Sequence, residues 1–298
     1  MERCGIVKAL VLSGGGAKGA YQVGVLRKWL GEEKNEYDIL CGVSVGALNT
    51  SFLAQYGAGL AGTSYTDLKK LWDGLDTPSI YRKWPFFGEL AALWKPAVYD
   101  SSPLQTIMRT QLDAARVKAS GKKLRVGAVD LASGEYRVFG EDYKHIKEAV
   151  LASSAFPAML LPVWLEGSRW TDGGIRTVTP IKAAMDLGAT SIDVILCAAK
   201  DQTEALPPNP SALWVAERSI DLMGDQIVAD DFDAAVKVNK LVSAGMKLPW
   251  WTSTRRQIPM RLVRPEHGVG ASLDFSPAKI RGMMEKGYED AQHPTDGL

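Results

Sequence analysis

Cysteine and histidine are scarce in this chain of 298 residues, which carries three of each. Cys4, Cys41 and Cys197 are odd in number, and the last two sit inside apolar runs. They read as free buried thiols of a reducing compartment, not as a disulfide framework. Their spacing makes no metal site, and neither a metal nor another cofactor is expected. A surplus of charge is also missing. With 35 Lys and Arg against 34 Asp and Glu, the net charge is +1, too little to draw in nucleic acid through a global field. No apolar run reaches the roughly 18 residues of a membrane span. The N-terminal apolar stretch is broken by Lys8 and flows into a glycine-rich turn, so it does not read as a cleaved signal. A cytoplasmic location is the expectation, with contact at a membrane surface at most. There is no internal repeat and no appended calcium-binding or lipid-binding module. The remainder, 46% hydrophobic and 23% charged, is ordinary for a globular protein with a substantial core.

What the chain does have is glycine concentrated in two turns. The first reads Leu10-Val11-Leu12-Ser13-Gly14-Gly15-Gly16-Ala17-Lys18-Gly19, the second Ile39-Leu40-Cys41-Gly42-Val43-Ser44-Val45-Gly46-Ala47. Each follows an apolar run and precedes a helical pattern. The second fits G-x-S-x-G, a sharp strand-to-helix turn that lifts a serine hydroxyl clear of the backbone. The first offers backbone N–H groups at a helix N-terminus, able to meet the negative charge that grows on an attacked carbonyl oxygen. A third turn, Arg169-Trp170-Thr171-Asp172-Gly173-Gly174, puts a carboxylate at the end of a short apolar run.

These three turns, in this order, resemble the patatin-like phospholipases, which carry G-G-G-x-[K/R]-G, G-x-S-x-G and D-G-[G/A]. Further segments follow the family pattern: Val98–Leu104, Val129–Glu135, Ala152–Pro157 and Ala183–Ala189. The likeness runs from about Val7 to about Ala291. It implies a Ser44–Asp172 catalytic dyad and an oxyanion hole from Gly14, Gly15, Gly16, Lys18 and Gly19. Gly42, Gly46, Gly173 and Gly174 would support the elbow and the aspartate turn. The activity implied is cleavage of fatty acyl esters of phospholipids. One departure stands after the third turn, where Thr177-Val178-Thr179-Pro180 replaces the family's Asn-x-Pro. A threonine there is expected to cap the next helix, with Pro180 at its first position. Lys18, where arginine is commoner, keeps the charge and loses the bidentate fork.

Rival readings share these residues. Ser44, Asp172 and His267 follow the chain order of an α/β-hydrolase triad. Only one clear strand precedes Ser44, however, and His267 sits in a turn-like stretch. His145 begins a solvated helix and His293 lies in the polar tail, so none of the three is expected to be essential. The first glycine turn also spells G-x-G-x-x-G, yet Asp38, the acid at about the right spacing for a dinucleotide site, begins its strand instead of ending it. A general carboxylesterase or thioesterase with the same dyad, or an inert lipid-binding module, remains an alternative.

Alternating short strands (Val7–Leu12, Ile39–Cys41, Leu124–Val129, Ile192–Leu196) and helical patterns (Ala20–Leu30, Ala47–Gln55, Ser102–Leu112, His145–Ala152, Pro180–Leu187) predict a three-layer α/β/α sandwich with a mostly parallel central sheet. The whole chain, 1–298, reads as one domain. Its core spans 7–200, and residues 211–291 add a helical extension, a late strand at Pro259–Val263 and a last helix. Two aromatic–basic segments, one around Trp84, Phe86 and Phe87 and one around Trp250 and Trp251, suit either a bilayer interface or the lining of an acyl pocket.

Overall fold

The computed structural model describes residues 6–204, 206–246 and 257–295. Strand β1 (Lys8–Leu12) turns through the first glycine loop into helix α1 (Gly19–Leu26), which widens into a π-helical turn over Arg27–Glu32. Strand β2 (Ile39–Val43) and helix α2 (Val45–Leu53) flank Ser44. Helices α3 (Ala61–Asp73), α4 (Thr77–Ile80), α5 (Ser102–Gln111) and α6 (Ala114–Ala119) follow. Strands β3 (Lys123–Asp130) and β4 (Tyr136–Gly140), helix α7 (Ile146–Ser153), then β5 (Val163–Leu165) and β6 (Ser168–Asp172) lead to the aspartate turn. Helix α8 (Ile181–Asp186), β7 (Ser191–Ile195), helix α9 (Ala212–Ser243), β8 (Met260–Val263) and helix α10 (Pro277–Asp290) complete the described chain.

The strands form one sheet in the order β5-β6-β3-β2-β1-β7-β8, with β4 also paired to β3. Pairing is parallel from β3 through β2, β1 and β7 to β8, and antiparallel where β4, β5 and β6 join. The layers follow from the two-residue period of a strand. Leu10 and Leu12 of β1 point to one face, into a cluster with α1, α2, α7 and α10. Ala9 and Val11 point to the other, into a cluster with Ile181 and Ala184 of α8 and Val228 and Ala235 of α9. The result is the expected α/β/α sandwich with a mostly parallel sheet.

Two local expectations are corrected. The helix expected at Ala20–Leu30 divides at Leu26, and its wider last turn buries Trp29 completely. Thr179 does not cap α8. Its hydroxyl is buried without a partner among the described residues, Pro180 occupies the cap position, and the Val178 and Thr179 N–H groups donate instead to Asp231 of α9.

Candidate active site

Ser44 joins β2 to α2 with φ 56° and ψ −129°, a conformation that L side chains rarely adopt. Such a turn projects the side chain outward while the backbone folds back on itself. The fold-back leaves no room at its base. A Cβ on Gly46 would be driven into the Leu12 carbonyl oxygen, and one on Gly42 into the carbonyl of Gly46. Ser44 is only 7% exposed, and its N–H is held by the Ser153 hydroxyl at 3.0 Å.

Strand register brings Asp172 to this serine across 128 residues of chain. Strand β4 runs along one edge of β3 from Arg125 to Val129, so β2 and β6 must share the other edge. Strand β2 occupies that edge up to the pair Val43–Gly127, and β6 takes it over at Ala128–Asp172. The residue after Val43 is Ser44, so the two turns meet where one strand gives way to the other. The end of α7 and the turn after it fasten both: Ser153 holds Ser44, and the Ala155 carbonyl accepts the Asp172 N–H at 3.1 Å and the Thr171 hydroxyl at 2.8 Å.

The Asp172 carboxylate is 2% exposed. Its Oδ1 accepts the Gly174 N–H at 2.8 Å, while Oδ2 is buried without a partner of hydrogen-bond geometry among the described residues. Burial pushes its pKa up to about 7, against the Ser44 hydroxyl and the Gly174 N–H, both of which favour the ionised form. A carboxylate in this state is a far better proton acceptor at neutral pH than one in water.

In the glycine loop the N–H groups are not equivalent. Gly14 donates to the Val178 carbonyl, Lys18 to Gly15, and Gly19 to Gly16 and Ala17. Of the five residues expected to form the oxyanion hole, Gly15 and Gly16 have N–H groups that lack an acceptor among the described residues. The Lys18 side chain turns to Asp221 of α9 at 3.7 Å. Behind the loop lies a buried polar chain, in which Gln22 donates to the Ser13 carbonyl, Asn49 to Gln22, and the Trp72 indole to Asn49. Fully satisfied networks of this kind hold a backbone rigidly.

Two cavities meet at Ser44. One is walled by Leu48, Phe52, Leu71, Trp72, Met108 and Phe275 and is almost wholly apolar. The other holds Asp172, Gly14, Gly15 and Lys18 beside Met223 and Asp225 of α9. No histidine lines either cavity: His145 and His293 are exposed, and exposed His267 pairs with Asp201 at 3.2 Å. Asp38 accepts the Lys8 N–H, which places it at the end of β2 away from both glycine turns, where it cannot serve a nucleotide bound at the loop. Cys41 and Cys197 are free and buried.

The aromatic segment divides between burial and exposure. Trp84 is half-buried with its indole donating to the Ala97 carbonyl, whereas Phe86 is fully exposed, joined by Phe87, Leu90, Leu93 and Trp94. None of these lines the apolar cavity. Trp250 and Trp251 lie outside the described residues. Sequence reasoning missed Ser153, whose motif Ala152–Pro157 was visible without a role, and the α9 carboxylates, which look like any solvated helix face. Among the described residues, no helix is long and apolar enough to cross a membrane.

The uncharacterized protein YjjU of Escherichia coli K12 is 32% identical over 193 residues, covering 63% of this chain and 51% of that protein. The uncharacterized protein R571 of Acanthamoeba polyphaga mimivirus is 28% identical over 186 residues, 59% of this chain and 60% of that protein. The chain thus spans little more than half the length of these relatives. The crystal structure of VipD from Legionella pneumophila aligns with a TM-score of 0.52 at 17% identity, covering 98% of this chain and 68% of VipD, a likeness of fold. The profile of the patatin-like phospholipases matches residues 10–185, which include the glycine loop, the elbow and the Asp172 turn. With more than half of its length in that match, the chain is a member of the patatin-like phospholipase family.

Proposed function

We propose that this chain is a serine acyl hydrolase that cleaves fatty acyl esters of phospholipids or related lipids. The observation that carries the reading is the position of Ser44 at the junction of an apolar cavity and one holding a buried carboxylate. The first suits an acyl chain, and the second the alcohol portion of an ester. In the proposed cycle Asp172 takes the Ser44 proton as Oγ attacks the acyl carbonyl. The Gly15 and Gly16 N–H groups and the N-terminus of α2 stabilise the oxyanion. Collapse expels the alcohol, which takes the proton from Asp172, and leaves an acyl-serine. Asp172 then removes a proton from water as that water attacks the acyl carbonyl. Collapse breaks the bond to Ser44 Oγ, which takes the proton back from Asp172 as the fatty acid leaves.

Lipid substrates are favoured over small soluble esters by the exposed Phe86, Phe87, Leu90, Leu93 and Trp94. This segment begins just after Ile80, a wall of the apolar cavity. Lys83 and Lys95 flank it, as suits aromatic side chains at a headgroup boundary. A fluorophosphonate probe tests the chemistry. Labelling of the wild type and none of Ser44→Ala is the expected outcome, and an unlabelled folded wild type would leave only an inert binding module.

A further inference from the structure

Helix α9, 32 residues long, buries Val228, Ala235 and Asn239 and packs Leu213, Ile220, Ile227 and Phe232 partly buried against the two cores. Three polar side chains also fasten it. Asp221 accepts the Ser272 hydroxyl at 2.7 Å and pairs with Lys18 at 3.7 Å. Asp231 accepts the Val178 and Thr179 N–H groups at 2.8 Å each. Asn239 donates to the Ile258 carbonyl at 2.6 Å and accepts its N–H at 3.0 Å.

The first two anchors converge on one place. The Val178 carbonyl accepts the Gly14 N–H at 3.1 Å, and the Ser272 carbonyl accepts the Ala17 N–H at 2.7 Å. Gly14 and Ala17 bracket Gly15 and Gly16, whose N–H groups lack an acceptor among the described residues. The peptide planes of those donors are therefore set from both sides by carbonyls whose own residues are held by α9. Asn239 lies at the other end of the helix, eight residues past Asp231, or about 12 Å along the axis.

We propose that Asp221 and Asp231 are positioning residues for the oxyanion hole, acting through Ser272 and Val178. The inference rests on the hydrolase reading and adds to it that α9 completes the site. Misaimed donors lose stabilisation made mainly in the transition state, so kcat falls while KM moves little.

The test uses the full chain and a soluble short-chain ester, with kcat and KM measured separately. Asp221→Ala and Asp231→Ala are expected to lower kcat roughly 10–100-fold with KM within about threefold. Asp231→Asn keeps an acceptor oxygen for both N–H groups and is expected to recover most of kcat. Asn239→Ala removes two bonds from the same helix and should lower the unfolding midpoint while leaving kcat unchanged. If Asp231→Ala does not fold, Ser272→Ala removes only the hydroxyl that Asp221 accepts and carries the same expectation. Unchanged kcat in the Asp221, Asp231 and Ser272 variants would overturn the inference. So would an equal loss in Asn239→Ala, which would assign the effect to docking of the helix as a whole. A wild type inert to both ester and fluorophosphonate would instead remove the hydrolase reading, and this inference with it.

Discussion

Asp172 is held where a carboxylate is least comfortable, and two measurable consequences follow at the scale of single residues. With its pKa raised to about 7 by burial, Asp172, the proposed base, loses its proton only as pH rises through neutrality. In kcat/KM for a soluble ester, the rate is expected to fall tenfold per pH unit below about 7. The same shift bears on stability. The folded state keeps the Asp172 proton to higher pH than the unfolded chain, so this group's stabilisation is full below about 4 and is lost as pH climbs to about 7. Asp172→Asn removes that loss: at pH 8 it is expected to be more stable than wild type, by on the order of 4 kcal/mol at most, with the gain gone at pH 4. Chemical denaturation at the two pH values checks it. Ser44 carries strain of its own at φ 56°, and Ser44→Gly is expected to stabilise the fold by about 1 kcal/mol while abolishing turnover. The residue types of both turns were legible in sequence because turn chemistry is local. Which loop N–H groups stay free was not, since that depends on Val178 and other partners far along the chain.

At the scale of elements, the site is a product of strand register. Ser44 and Asp172 share one edge of β3, and nothing in the sequence near either residue encodes that neighbourhood. Strands β4, β5 and β6 were not expected from sequence, because segments such as Ser168-Arg169-Trp170-Thr171-Asp172 are short and half polar. Strands β1, β2, β3 and β7, buried and apolar, were plain. The elbow tolerates no side chain at its foot: Gly46→Ala would push a methyl group into the Leu12 carbonyl, so a loss of several kcal/mol or failure to fold is expected. A thermal melt beside wild type measures it. The role of α9 was hidden for a different reason. Its Asp221 and Asp231 meet Ser272 and Val178 only after the fold has brought those residues beside it.

At the scale of the molecule, a near-neutral chain presents an exposed apolar strip, Phe86 to Trp94, next to the segment that walls the apolar cavity proposed for the acyl chain. Replacing Phe86, Phe87 and Leu93 together with serine is expected to weaken binding to phospholipid vesicles at least tenfold, at about 1.5–3 kcal/mol per apolar side chain withdrawn from the interface. Turnover of a soluble ester should stay within about twofold; equal losses in both assays would show that the strip serves the fold or the pocket instead. The most direct test of the whole account is product analysis. Wild type and Ser44→Ala are each incubated with mixed phospholipid vesicles, and the lipids are identified by mass spectrometry. The account predicts free fatty acid and lysolipid from the wild type alone. Release by both proteins, or by neither with the wild type folded and bound to the vesicles, would contradict it.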